Sequence, residues 1–187
     1  MGGPGSGKST QGDILASKYG YLHISAGELL RQEMATPNSD KAPIIRSRID
    51  NGMIVPAQIT LSLLLEKMKG SEKRVFLIDG FPRNLDNLNT FDGDEECKGY
   101  EVPFVVYFNC EERVLVERIM ERAKTSGRSD DTLESLRLRL KTYKEQTQPI
   151  IEHYRKEGKL IEVDAGKSAS DISQDVDSFF HQRLHSL

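Results

Sequence analysis

The stretch Gly2-Gly3-Pro4-Gly5-Ser6-Gly7-Lys8-Ser9 decides the fold of this chain. It fits the pattern G-x-x-x-x-G-K-[ST], in which glycines let backbone N–H groups turn onto phosphate oxygens and the lysine reaches the β- and γ-phosphates. Helix formers follow as far as Gly20, so a bound anion would lie at the positive end of a helix. The stretch predicts a nucleoside triphosphate site whose residues are Gly3, Gly5, Gly7, Lys8, Ser9 and Thr10.

Short apolar runs alternate with helical stretches along the rest of the chain. Apolar runs at 75–78, 104–108 and 160–163, with a weaker one at 22–24, are predicted to be buried parallel strands. Helices are predicted at 9–19, 27–35, 57–69, 85–91, 111–122, 132–157 and 169–184. This alternation predicts one α/β domain over 1–187, a P-loop NTPase-type three-layer sandwich with a parallel sheet covered on both faces.

Composition excludes several classes of protein. Of the 187 residues 37% are hydrophobic and 29% are charged, with neither a long apolar run nor a low-complexity tract, so a membrane-spanning or disordered chain is not expected. The net charge of −3 offers no general attraction to nucleic acid or to an anionic membrane. Cys97 and Cys110 lack a CxxC spacing, and no signal peptide is visible, so we expect a reducing, cytoplasmic location.

Chemistry-bearing residues follow three of the predicted strands, at 25–31, 79–87 and 164–167. In open α/β sheets ligands bind outside the carboxyl ends of the strands, so these segments should converge. Asp79 is placed to hold the shell of a Mg²⁺ ion together with Ser9, or else to cap the next turn. Arg83 could bind a phosphate through two hydrogen bonds, or else form a surface salt bridge.

A second basic segment joins two predicted helices. Arg122, Lys124 and Arg128 bracket the polar stretch 125–127, which indicates a small mobile lid or a solvated basic loop. Asp131, with Glu134 three residues on, is interpreted as a helix cap and is given no chemistry.

Arg137 and Arg139 flank the apolar stripe of the next helix, and periodicity does not choose between them. If the acceptor of a phosphoryl group is itself a phosphate with a second pKa of about 6, it is already ionised at neutral pH. No general base is then needed, because the barrier is the repulsion between two anions. Positioning and positive charge should therefore carry catalysis.

The motifs resemble those of the adenylate kinase superfamily of nucleoside monophosphate kinases, most closely the UMP-CMP kinases. The resemblance covers nearly the whole chain and rests on GGPGSGKSTQ (2–11), YLHISAGELLRQE (21–33), NGMIVPAQITLSLL (51–64), FLIDGFPRNLDN (76–87), TSGRSDD (125–131) and DAGKS (164–168). It implies an adenylate kinase-like fold with a short lid.

A P-loop normally follows a buried strand, which in these proteins is central in the sheet, and Met1 directly precedes the loop. We therefore expect a sheet in which this first, central strand is missing.

The resemblance also assigns roles to residues of this chain and selects Arg139 over Arg137. Phosphoryl transfer would be catalysed by Lys8, Arg83, Arg128 and Arg139. ATP would be bound by the P-loop with Arg122 and Lys167, and Mg²⁺ by Ser9 and Asp79 through water and phosphates. The monophosphate would contact Ser25, Arg31, Met53, Ile54, Val55, Gly80, Arg83, Asn87, Arg128 and Arg139. Residues 36–66 would form a mobile monophosphate-binding region and 123–131 the lid.

The acceptor base depends on two positions, since adenylate kinases usually have Thr where this chain has Ala26 and Gln where it has Asn87. Both residues resemble pyrimidine kinases, which implies transfer from ATP to UMP or CMP, with dCMP a further candidate. Two alternatives stay open: a short-lid adenylate kinase acting on AMP, and a truncated chain that only binds nucleotide or a partner. The resemblance implies a monomer without nucleic acid or membrane partners. A nuclear location and an N-terminal targeting peptide also stay open.

Overall fold

The computed structural model describes residues 1–184, with side chains to residue 182, so the end of the predicted domain at 185–187 lies outside the described residues. Four parallel strands are formed: β1 (Leu22–Ser25), β2 (Phe76–Asp79), β3 (Val105–Asn109) and β4 (Leu160–Asp164). All four coincide, within one or two residues, with the apolar runs predicted from the sequence.

Helices connect and cover these strands. Their bounds are α1 (Lys8–Tyr19), α2 (Ala26–Ala35), α3 (Ala42–Asp50), α4 (Ala57–Lys69), α5 (Leu85–Gly93), α6 (Glu112–Ser126), α7 (Leu133–Thr142), α8 (Gln148–Lys156) and α9 (Ala169–Leu184). A 3₁₀ turn spans Glu95–Cys97 and a π-helical turn spans Tyr143–Thr147. Within residues 1–184, no helix combines the length and the apolar character needed to span a bilayer.

The strands pair in two groups. β1 pairs with β2 and β3 with β4, both in parallel, and no ladder joins the two pairs among the described residues. Met1 and Gly2 lie beside β3: the Phe108 N–H donates to the Met1 carbonyl at 2.9 Å, and Gly2 forms an isolated bridge with Phe108. Among the described residues, the four strands thus form two separate parallel pairs, and the residues ahead of the P-loop contribute a single bridge to β3.

Helices pack on both faces of the paired strands, as a three-layer α/β architecture requires. On one face, Leu15 of α1 and Val176 of α9 pack with Phe108 and Val163. On the other, Ile24 of β1 packs with Leu61 of α4. These layers hold the carboxyl ends of all four strands at one edge of the domain.

Local chemistry explains where the helices around that edge begin. The Ser25 hydroxyl accepts from the Glu28 N–H at the start of α2, and the Thr132 hydroxyl accepts from the Ser135 N–H at the start of α7. The Asn84 side chain accepts from the Asn87 N–H at 2.9 Å, so the cap expected from the sequence at the start of α5 is confirmed.

Three boundaries differ from the prediction. The sequence pattern placed no helix at α3, although the resemblance implied monophosphate-binding helices over 36–66. Helix α6 continues to Ser126, so the first part of the predicted lid is helical. The single helix predicted over 132–157 is instead α7, a π-helical turn and α8. Helix formers do not distinguish α from π winding, so tertiary contacts decided this last difference.

The side chain of Ile119, a core residue of α6, packs against Gly5 of the P-loop. Truncation of this side chain should destabilise the fold. The Ile119 side chain is fully buried, and its Cγ1 lies 3.0 Å from the position that a Cβ on Gly5 would occupy. We expect Ile119→Ala to lower the free energy of unfolding by about 2–5 kcal/mol, measured by urea denaturation. The matched control Ile14→Ala, at a side chain 42% exposed, should change it by less than about 1 kcal/mol. Equal losses in the two variants would contradict this packing.

Candidate functional site

A cavity of about 520 Å³ opens at the carboxyl ends of the strands. The predicted site residues that line it are Gly5, Gly7, Lys8, Ser9, Thr10, Ser25, Arg31, Met53, Ile54, Val55, Asp79, Gly80, Arg83, Asn87, Arg122, Arg128, Arg139 and Lys167. Arg137, the alternative to Arg139, does not line it. The strand-end segments therefore converge as expected.

Gly3 is the predicted binding residue that does not line the cavity. It is buried, and a Cβ at this position would lie 2.6 Å from the Leu115 Cδ1. A side chain here would therefore force Leu115 of α6 to move, a packing constraint that the P-loop pattern does not reveal. Gly5 and Gly7 differ, because both adopt positive φ, 84° and 87° respectively. These two glycines supply the left-handed turns that the loop needs ahead of α1.

Lys8 begins α1 and folds back over its own loop. Its ammonium donates to the Gly3 carbonyl at 2.7 Å and to the Ser6 hydroxyl at 3.2 Å. Desolvation lowers the pKa of Lys8 to about 8, with Arg83 and Arg139 adding to the decrease and Asp79 opposing it. An anion in the cavity would favour the charged lysine again.

Ser9 and Asp79 meet at the floor of the cavity. The Ser9 hydroxyl donates to Asp79 Oδ2 at 2.5 Å, whereas Asp79 Oδ1 is buried and has no hydrogen-bond partner within residues 1–184. Burial opposes ionisation of Asp79, but Lys8 and Ser9 outweigh it and hold the pKa of Asp79 below its usual value. An ionised carboxylate with an unpartnered oxygen beside a hydroxyl suits a hard divalent cation or its water shell.

The five predicted arginines come from different parts of the chain: Arg31 from α2, Arg83 from the segment after β2, Arg122 from α6, Arg128 from the segment after α6, and Arg139 from α7. Desolvation lowers the pKa of Arg83 and of Arg128, and neighbouring guanidinium groups lower both further. Arginines remain charged despite such shifts. The cavity therefore concentrates positive charge and is suited to several phosphate groups.

Asp131 organises two of these arginines, which corrects the interpretation of this residue as a helix cap. Arg122 donates to both its carboxylate oxygens, at 2.8 and 2.5 Å, and Arg139 donates at 3.4 Å. The Ser126 hydroxyl donates a further bond at 2.8 Å. Burial of Asp131 is outweighed by Arg122 and Ser126, so its pKa falls to about 2. Thr132 caps α7 instead.

The opposite wall carries the residues predicted to contact a monophosphate. Val55 is buried, whereas Met53 is 43% exposed at the cavity mouth. Asn87 is buried; its Oδ1 accepts from the Arg83 N–H at 3.0 Å, while its Nδ2 has no hydrogen-bond partner within the described residues. This wall thus offers an apolar surface and one amide donor.

Arg118 is a cavity residue that the sequence analysis missed. Its guanidinium donates to the Ala165 carbonyl at 2.7 Å and to the Lys167 carbonyl at 3.0 Å, which fixes the loop after β4 against α6. Arg118 precedes Arg122 by four residues on α6, so helical spacing could have placed both on one face. Lys167 itself pairs with Asp175 at 2.8 Å.

Comparison with known proteins agrees with this geometry. A family model described as adenylate kinase matches residues 1–159. This chain belongs to the adenylate kinase family. Among its curated relatives, UMP-CMP kinases of Rattus norvegicus and Homo sapiens are 46% and 45% identical to this family member over 185 residues. In both cases 96% of this chain and 94% of the relative are covered. The UMP-CMP kinase of Danio rerio is 46% identical over 181 residues, with 94% and 92% covered.

In this adenylate kinase family member, the contribution of Asp131 to stability should depend on pH. Its pKa is lowered from 3.8 to about 2 in the fold, so its stabilising contribution is present above about pH 3.8 and is lost as the pH falls toward 2. We expect Asp131→Asn to lower the urea midpoint at neutral pH, and the gap from wild type to narrow below about pH 4.

The matched control for this titration is Asp40→Asn, at an exposed carboxylate. This variant should track wild type throughout. A gap between wild type and Asp131→Asn that stays constant down to about pH 3 would contradict the ionised, arginine-bound Asp131.

Proposed function

We propose that this protein transfers the γ-phosphoryl group of ATP to a pyrimidine nucleoside monophosphate, UMP or CMP and also dCMP, giving ADP and the nucleoside diphosphate. The observation that carries the proposal is one cavity that the P-loop, Asn87 and the arginines line together. Relatives named UMP-CMP kinase, 45–46% identical over 96% of the chain, support the choice of pyrimidines.

The chemistry that we propose uses charge and position. The acceptor phosphate is already ionised at neutral pH, so it attacks without a general base. Lys8, Arg83, Arg128 and Arg139 would hold the two anionic substrates in line and stabilise the charge that develops on the transferred group. Arg122 and Lys167 would serve the ATP side.

Mg²⁺ is the cofactor that we propose, shared between the nucleotide phosphates and the pair Ser9 and Asp79. The unpartnered Oδ1 of Asp79 supports this role. Within residues 1–184, no three His, Cys, Asp or Glu side chains gather as a metal site. Phosphate oxygens and water would complete the coordination. When bound, Mg²⁺ would neutralise phosphate charge during transfer.

Base recognition in this proposal depends on the Nδ2 of Asn87. Oδ1 already accepts from the Arg83 N–H, whereas Nδ2 has no partner among the described residues, so we propose that the amide N–H₂ group donates to the base. Uracil and cytosine both carry a carbonyl oxygen at C2, so a single donor can serve either base.

Residues 36–66 and 123–131 are proposed to close over the two substrates. In the lid, Arg128 Nη2 lies 3.9 Å from Glu28 Oε2 of α2, the helix that also carries Arg31. Closure would exclude water, which otherwise competes as an acceptor. We further propose a monomer in the cytoplasm, in keeping with two free cysteines, Cys97 and Cys110.

The proposed activity predicts a substrate order. With ATP and Mg²⁺, turnover measured by coupled ADP production should be faster with CMP, UMP and dCMP than with AMP. Lys8→Met should lower turnover by about 100-fold or more, because it removes a positive charge at the transferring phosphates. A preference for AMP would instead identify a short-lid adenylate kinase. No turnover, together with an unfolding midpoint that ATP does not raise, would contradict any nucleotide kinase function.

Asn87→Gln tests the base contact. The longer side chain moves the amide from both the Arg83 N–H and the base, so we expect kcat/KM for CMP and UMP to fall by about 10-fold or more, the equivalent of one hydrogen bond. Asn89→Gln, an exposed residue on the same helix, is the matched control and should leave kcat/KM unchanged. Pyrimidine kinetics that are equal in Asn87→Gln and wild type would remove Asn87 from the base site.

A further inference from the structure

The π-helical turn between α7 and α8 has no role in the function described so far. It spans Tyr143–Thr147, and the Gln148 N–H donates to the Tyr143 carbonyl, five residues back. Turns of this kind are rare and often occur at functional sites. Thr142, Tyr143 and Thr147 all line the cavity.

Thr147 holds the backbone of Arg83. Its side chain is buried, and its hydroxyl donates to the Arg83 carbonyl at 2.8 Å. On the other side, the Arg83 N–H donates to Asn87 Oδ1 at 3.0 Å, and the Arg83 Nε donates to the Gly80 carbonyl at 2.8 Å. The backbone carbonyl and N–H of Arg83 are therefore fixed by two different elements.

Arg83 needs this support because it faces like charges. Its guanidinium lies in the cavity near Arg139 and Arg31, both of which lower its pKa. Like charges at close range repel, and a displacement of about 1 Å at a group that aligns reactants can cost on the order of 100-fold in rate. Fixing the main chain on both sides resists such a displacement.

Thr142 holds the opposite wall in the same way. Its hydroxyl donates to the Gly52 carbonyl at 2.8 Å. Gly52 packs closely on α7, since a Cβ there would lie 2.6 Å from the Leu138 Cβ, and its φ of +63° favours glycine. Gly52 directly precedes the predicted monophosphate-lining residues 53–55.

The π winding explains how two hydroxyls five residues apart serve one cavity. At 3.6 residues per turn, positions 142 and 147 would lie about 140° apart around a regular α-helix. A turn closed by a bond from residue i+5 to residue i brings them closer to a single face. The extra residue of the π-helical turn thus helps to bring the hydroxyls of Thr142 and Thr147 toward the same side, where they bond to Gly52 and Arg83.

We propose that the π-helical turn Tyr143–Thr147 positions the monophosphate side of the active site, Thr147 by fixing Arg83 and Thr142 by fixing the Gly52 wall. The inference rests on the proposed function, because it assigns Arg83 and residues 53–55 to the acceptor. Thr142 and Thr147 act through these groups and are positioning residues.

The test compares Thr147→Val and Thr142→Val, which remove a hydroxyl at nearly constant volume, with Thr147→Ser, which keeps it. With CMP and ATP, Thr147→Val should lower kcat by about 10-fold or more while KM for ATP changes by less than about twofold. Thr147→Ser should recover most of kcat. Thr142→Val should mainly raise KM for CMP, by about 3- to 10-fold.

Ser178→Ala is the matched control, since its exposed hydroxyl donates to the Gln174 carbonyl of α9, far from the cavity; its kinetics should equal those of wild type. Amide hydrogen exchange supplies a readout without turnover: exchange in residues 80–87 should be faster in Thr147→Val than in wild type. If Thr147→Val kept the wild-type kcat, or if it changed KM for ATP and KM for CMP equally, the inference would be overturned. If the wild type lacked pyrimidine kinase activity but exchange were still faster in Thr147→Val, the proposed function would be overturned. The fixing of Arg83 by Thr147 would then be retained.

Discussion

Mutual repulsion among the cationic side chains of one cavity is the constraint on which the arrangement of this site depends. Lys8 and the arginines of α2, α6, α7 and the segments after β2 and α6 all line the same cavity. Anionic or carbonyl groups lie beside them. Lys8 donates to the Gly3 carbonyl, and the Arg83 Nε donates to the Gly80 carbonyl. Asp131 binds Arg122 and Arg139, and Glu28 lies beside Arg31 and Arg128. The protein partners balance the charge only in part, so phosphate groups that enter the cavity gain a strong, preorganised field.

The glycines of the P-loop meet two structural requirements, one of backbone conformation and one of packing. Gly5 and Gly7 turn the chain with positive φ ahead of α1, which is a local conformational need. At Gly3 the constraint is packing, since the side chain of Leu115 on α6 occupies the space that a Cβ would take. Helix α6 therefore supports the loop through its core residues and, through Arg122 near its end, joins the loop to the lid.

Sequence patterns predicted the elements well where local chemistry decides them. The four strands, the cap at Asn84 and the end of α1 at Gly20 were all predicted, because buried runs and capping side chains act over a few residues. Asp131 was misassigned because a carboxylate near a helix start is normally a cap, and its arginine partners lie eight and nine residues away. Arg118 was overlooked, although its spacing from Arg122 was visible.

By itself, the sequence determined the phosphate-binding loop, the α/β class and the set of strand-end residues, since these follow from glycine conformation, hydrophobic periodicity and the geometry of parallel sheets. Only the tertiary structure decided how these residues are held. The bonds of Thr142 to Gly52 and of Thr147 to Arg83 join residues 90 and 64 positions apart. Contacts over such distances arise from packing, which no local pattern encodes.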